Sequence, residues 1–314
     1  METTTIVRRS VHLFLQHYQF FTTVAAFLFF PASASILLSV SSPSWDLISN
    51  LRPRIESLLE AGGFPDSRLT SLLHLKLSQT VASFLTSFPF TVSFLLLAKA
   101  CVISHALRTG KASSSGLFCS LPSIWKKLLI TYLTSVVFIF AANATAFSFL
   151  FLVFNVFDVL DVSSPVNPTF LSCVGSTFYS VLLANTIIIC NLATIVSGME
   201  ECSGIVAILR ACILIKNRAA TALSLALPVN LCLAAIESLF QYRVVRMLEV
   251  SHELPLSVVW EVPLLIHMYS TVILLDTIAG CIFYNCSKSL YLSESKYMEE
   301  EDATTELFLP TSVP

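Results

Sequence analysis

The stretch GMEECSGIVAILRACILIKNR, Gly198 to Arg218, decides how the chain is threaded. It is apolar from Cys202 to Ile215 apart from Arg210, with Glu200 and Glu201 before the run and Lys216 and Arg218 after it. A helix needs about 20 apolar residues to cross a bilayer core of about 30 Å. This run is shorter, and an Arg at the centre of a span costs about 2.5–3.5 kcal/mol on insertion scales. At about 100° per residue, Glu200, Ser203, Gly204, Ala207, Arg210, Ala211, Asn217 and Arg218 gather on one side. Cys202, Ile205, Ile208, Leu209, Cys212, Ile213 and Ile215 take the other, and Leu214 breaks the pattern. Acidic residues in the first turn and basic ones in the last suit the helix dipole. The stretch is therefore expected to be an amphipathic helix at the cytosolic membrane surface, joining two spans without being one itself.

The flanks make that reading consistent. Of 314 residues, 55% are hydrophobic and only 12% charged, against about 25% charged in soluble domains. Mean hydropathy is +0.79. Such a surface belongs in lipid. Six apolar segments are long enough to cross, at about 20–40, 81–106, 128–154, 170–196, 219–240 and 258–284. The fold class expected is an all-α polytopic membrane helix bundle with six spans and the amphipathic helix 198–218. Its parts are an N-terminal segment 1–19, a membrane domain 20–287 and an acidic tail 288–314. Pro31, Pro89, Pro228 and Pro263 fall inside spans, where neighbouring helices can satisfy the freed carbonyls. Arg8 and Arg9 with Ala32-Ser33-Ala34 resemble a signal peptide, but the apolar run continues to Val40, so an uncleaved signal-anchor is expected.

Basic residues set the orientation. Arg8, Arg9, Arg108, Lys111, Lys126, Lys127, Arg210, Lys216, Arg218, Lys288 and Lys296 fall on one side. Arg52, Arg54, Arg68, Lys76, Arg243 and Arg246 fall on the other. The heavier side reads as cytosolic and carries both termini. On the lighter side, Trp45 to Ala61 forms a second amphipathic piece that Pro53 is expected to split.

Charged residues inside spans are rare and are functional candidates. Lys99 and Asp276 lie about 18 positions into the second and sixth spans, which run in the same direction. With Asn185 and Asn191 of the fourth span they form a candidate polar layer. The interfacial helix contributes Glu200, Glu201, Arg210, Lys216 and Arg218 as candidates. Bland readings stand beside both: interhelical hydrogen bonds that fix register, and a connector packed under the bundle.

No motif for covalent or metal chemistry is present. The six histidines form no HExxH or HxH pattern, and there is no GxSxG elbow or Walker A loop. Nine cysteines without a CxxC pair do not form a disulfide framework. No cofactor and no metal are expected. A net charge of -2 leaves no basic excess for nucleic acid. The tail core ESKYMEEEDATTE is acidic, is expected to be disordered, and is a candidate contact for a protein partner.

The layout resembles a plant family of uncharacterised multi-pass membrane proteins, some of whose members carry the label polyadenylate-binding-protein-binding protein. The likeness rests on Gly198–Arg218 and continues through AATALSLALPVNLCLAAIESLFQYRVV, Ala219 to Val245. It implies a plant origin and an endomembrane or plasma-membrane location, and supplies no catalytic residue. The expected function is that of a non-enzymatic scaffold or regulatory membrane subunit. The alternative is a transporter or lipid-handling protein, with a lipid or small-molecule ligand at the polar layer. The lipid bilayer is a partner in either case.

Overall fold

A computed structural model describes residues 3–41, 45–61, 68–109, 117–159, 168–200, 202–216, 218–247 and 256–308. Among them every regular element is helical. The helices are α1 (Thr3–Gln16), α2 (Tyr18–Val24), α3 (Phe30–Ser41), α4 (Trp45–Ala61), α5 (Arg68–Phe90) and α6 (Leu96–Thr109). They continue with α7 (Leu117–Val159), α8 (Pro168–Met199), α9 (Ile205–Lys216), α10 (Ala219–Phe240) and α11 (Leu256–Phe308). Three π-helical turns, Ala25–Phe29, Thr91–Leu95 and Gln241–Val245, extend α2 into α3, α5 into α6, and α10 past Phe240. The first lies just before Pro31 and the second just after Pro89. A proline ring crowds the carbonyl four residues back, which for Pro31 is that of Phe27 inside the first widened turn; the second turn lies on the other side of Pro89 and is not explained by that crowding.

Six apolar helical stretches are long enough to cross a bilayer: Tyr18–Ser39, Leu77–Leu107, Leu121–Val153, Cys173–Met199, Ala219–Val245 and Trp260–Tyr291. This is the expected number. The all-α membrane fold follows from satisfying every backbone group within the helix when no water is at hand. Along α7 a belt of Val137, Phe140, Phe147, Phe149, Phe151 and Leu152 is exposed, as a lipid-facing surface requires.

Packing divides the chain into two units. The first comprises Met1–Ser10, Phe118–Ala226 and Ile278–Pro314. Within it α9 packs on α8. Gly280 of α11 sits so close to Ile195 of α8 that a Cβ there would collide with the Ile195 side chain. The second unit comprises Val11–Leu117 and Leu227–Thr277. Its core joins Leu37, Ile236, Phe240, Val244, Leu265, Ile266 and Tyr269. His105 lies inside an aromatic group there, stacked on Phe20 at 4.4 Å and edge-on to His17 at 4.7 Å.

Three expectations need correction. Pro53 does not split the second amphipathic piece, because α4 runs unbroken from Trp45 to Ala61 with Pro53 inside it. The tail is not a disordered appendage from residue 293: α11 stays helical to Phe308. Its Glu, Met, Ala and Lys residues are good helix formers, and a preceding span provides the nucleus that an isolated helix lacks. Finally, the two sides of α9 are used differently from a simple split between water and lipid. The small residues Ala207 and Ala211 are buried with Ile208 and Ile215, and the bulky Ile205, Val206, Leu209 and Ile213 are exposed. Alanine lets two helix backbones approach closely, so the small-residue side goes against the protein.

Candidate functional site

A dense polar cluster is built where α8 ends. The last turn of α8 closes with the Glu200 N–H donating to the Val196 carbonyl at 2.8 Å. The chain then reverses through Cys202, Ser203 and Gly204 into α9. Gly204 takes φ of 64°, a left-handed conformation that costs an L side chain about 1–2 kcal/mol. Its N–H donates to Thr131 Oγ1 of α7 at 2.9 Å. The Thr131 hydroxyl proton is shared between Ser197 Oγ of α8 at 2.8 Å and the Lys127 carbonyl at 3.0 Å. One buried hydroxyl therefore fixes the α8–α9 reversal onto α7.

Glu200 is the hub. Its Oε1 accepts the Tyr284 hydroxyl at 2.6 Å and the Lys288 ammonium at 3.0 Å, both from α11. Its Oε2 pairs with the Arg210 guanidinium of α9. Tyr284 and Lys288 are one turn apart on α11, which is the spacing that puts two side chains on one face. Lys288 Nζ also donates to Tyr284 Oη at 3.0 Å. Burial works to raise the Glu200 carboxyl, but the hydrogen bonds from Tyr284, Lys288 and Arg210 and the charge of Lys288 hold it at about 2, below its ordinary 4.5. It is a fixed anion at neutral pH, and its carboxylate geometry is taken up by structural donors.

Cys202 lies beside this hub, within electrostatic range of Glu200, Arg210 and Lys127. Burial pushes its thiol up and the Glu200 charge adds to that, while Arg210 and Lys127 oppose it. Burial also pushes the Cys212 thiol up. A thiol that stays protonated is a poor nucleophile. Among the described residues no group of three or more His, Cys, Asp or Glu is placed to hold a metal ion.

The other expected site residues fall as follows. Glu201 lies outside the described residues. Lys216 is exposed at the end of α9, and Arg218 is half-buried in the turn that follows, its N–H donating to the Ile215 carbonyl at 2.7 Å. In the second unit, Lys99 and Asp276 lie within electrostatic range of each other. Asn185 and Asn191 belong to the first unit, and both are exposed on α8. The Asn185 amide donates to the Val181 carbonyl of its own helix at 3.0 Å. Other polar groups within spans pair as follows: Tyr179 donates to Asn143 at 2.6 Å, Tyr269 to Glu237 at 3.1 Å, and Arg243 to Glu261 at 3.4 Å.

Tyr284 and Lys288 of the hub, and Thr131 and Ser197 at the α8–α9 reversal, are absent from the candidates read from the sequence. The one available signal is the i, i+4 spacing of Tyr284 and Lys288 at the end of the sixth span; patterning marks Lys288 only as a tail charge. Thr131 and Ser197 look like ordinary span residues.

The model of a family described as Domain of unknown function (DUF8558) matches residues 1–298. No similar protein was found among curated proteins or among solved structures.

Proposed function

For this chain, which belongs to the DUF8558 family, we propose the role of a non-enzymatic scaffold or regulatory subunit embedded in a membrane by six spans. The observation that carries this reading is the Glu200 hub. Its three donors come from α9 and α11 and converge on a carboxylate at the end of α8, so this charge cluster joins three helices. A reacting site needs a group left poised for substrate, with its pKa matched to the task. Here the carboxylate is engaged by three structural donors, and burial pushes the neighbouring thiols up.

In this reading α9 is the amphipathic helix at the cytosolic surface, and both termini are cytosolic, as the distribution of Lys and Arg supports. The membrane is a plant endomembrane or the plasma membrane. The acidic tail, whose sequence includes Glu299, Glu300, Glu301 and Asp302, is the contact for a basic protein partner.

A second reading has one observation in its favour. Lys99 and Asp276 attract each other inside membrane spans, where ionisable groups often mark a transport or lipid-handling site. Native mass spectrometry of the detergent-purified protein, wild type against Asp276→Asn, separates the two. A stoichiometric protein partner held by both forms supports the scaffold. A small molecule or lipid held by wild type and lost from Asp276→Asn overturns it in favour of transport or lipid handling.

A further inference from the structure

The Glu200 carboxylate accepts three donors, and its cations have donors to spare. A guanidinium has five N–H donors and an ammonium three. Among the described residues Arg210 spends a donor on Glu200 and Lys288 spends two, on Glu200 and Tyr284. Both side chains remain about half exposed, 54% for Arg210 and 45% for Lys288. Lys127 adds a third positive charge nearby, acting on Cys202 together with Arg210. Two positive charges, Arg210 and Lys288, thus face the one negative charge of Glu200.

Beside these cations runs an apolar surface. Ile205, Val206, Leu209 and Ile213 of α9 are each more than half exposed. On the helical wheel they form one arc, with Arg210 at its edge, opposite the buried Ala207 and Ala211. The arc sits on a short helix between two membrane spans, with α8 ending at Met199 and α10 beginning at Ala219. Two cations flanking a single carboxylate are spaced for a single phosphate as well, and guanidinium recognises phosphate through paired N–H donors.

We propose that this surface binds an anionic phospholipid, its headgroup phosphate between Arg210 and Lys288 and its acyl chains along Ile205, Leu209 and Ile213. The lipid competes with Glu200 for the two cations. Glu200 therefore sets the affinity: it keeps Arg210 and Lys288 positioned, and it lowers the charge the phosphate meets. A free phosphate would use the cations alone. The exposed aliphatic arc is what commits the site to a lipid.

The test is native mass spectrometry of the full-length protein. The probes are phosphatidylinositol 4-phosphate, phosphatidylserine and phosphatidylcholine with matched acyl chains, and inositol 1,4-bisphosphate as the headgroup without chains. The anionic lipids are expected to be retained over phosphatidylcholine by about tenfold, and over the free headgroup by a similar factor. Arg210→Gln with Lys288→Gln is expected to abolish that preference. Because that variant can also loosen the fold, Glu200→Gln provides the independent arm: with the competing carboxylate neutralised, retention of anionic lipid is expected to rise, a gain that misfolding does not produce. Leu209→Ser with Ile213→Ser leaves the charges in place and is expected to reduce lipid retention to that of the free headgroup. Equal retention of phosphatidylcholine, an unchanged preference in the double Gln variant, or no gain in Glu200→Gln overturns the proposal. Retention of inositol 1,4-bisphosphate as strong as that of the lipid overturns the lipid assignment in favour of a soluble phosphate.

Discussion

Tyr284 Oη lies 2.6 Å from Glu200 Oε1, joining two residues 84 positions apart in sequence. The tyrosine is buried to 2% exposure, so its hydroxyl has no ready supply of water to replace the bond. Hydrogen bonds to a charged group contribute more than neutral ones, at about 1.5–3 kcal/mol. Tyr284→Phe keeps the ring and removes only the hydroxyl. It should destabilise the protein by about that amount, read from unfolding in mixed micelles of rising SDS content. A change within a few tenths of a kcal/mol would mean that Lys288 and Arg210 suffice.

The Glu200 carboxyl also gives the protein an acid limit. Its folded pKa, about 2, lies below its ordinary 4.5. A group whose pKa is depressed on folding stabilises fully above the unfolded value, and that contribution is lost as pH falls through the folded value. Stability should therefore decline between about pH 4.5 and pH 2 through this residue. Glu200→Gln should flatten that portion of the profile while lowering stability at pH 7. A wild-type and a Gln variant with parallel profiles from pH 5 to pH 2 would contradict the assignment.

Gly280 is a glycine for reasons of space. A Cβ at that position would strike Ile195 Cδ1 across the α8–α11 contact. Gly280→Ala should cost less than the roughly 1–3 kcal/mol usual for overpacking, because Cδ1 is the rotatable end of the Ile195 side chain and alanine gains up to about 1 kcal/mol over glycine in a helix. Ile195→Val removes the colliding methyl, so the double variant should recover most of that loss. Additive losses in the double variant would show that the collision is relieved elsewhere.

The attraction between Lys99 and Asp276 predicts a specific coupling. Asp276→Asn leaves the ammonium of Lys99 without that charge in a membrane span, and Lys99→Met does the converse to Asp276. Each should destabilise the fold more than the double variant's loss implies by addition. A double-mutant cycle should give a coupling of about 1–3 kcal/mol. Additivity within about 0.5 kcal/mol would place the two residues in separate environments.

Much of the architecture was legible because hydropathy and helical length are local properties. Six long apolar segments became six helical spans, and α4 has the expected limits, Trp45 and Ala61. The interruption of Gly198–Arg218 by Arg210, with charges at its ends, marked a short connecting helix, found as Ile205–Lys216. Its use was harder to read. Periodicity divided the segment into two sides, but bulky aliphatics and small residues are both at home beside lipid or protein. The structure placed Ala207 and Ala211 inward and Ile205, Leu209 and Ile213 outward.

The candidate polar residues show the same boundary. Glu200 and Arg210 were visible as charges at membrane edges, and the structure pairs them. Thr131 and Ser197 carried no signal, since a hydroxyl in a span usually bonds its own helix. Thr194, for example, donates to the Cys190 carbonyl one turn back. Only the arrival of Gly204 beside Thr131 makes that hydroxyl a fastening point.

The sequence by itself determined that this chain is helical, that six stretches are apolar enough to cross a membrane, and that a charged connector interrupts them after the fourth. Those outcomes follow from burying backbone polar groups and apolar side chains, which each segment does almost alone. Tertiary structure decided which face of α9 meets protein, and which distant donors close on Glu200. Lipid is as apolar as a helix surface, so hydropathy cannot choose between them. The choice falls to close packing and to the pairing of a charge, and both depend on helices brought together from far apart in the chain.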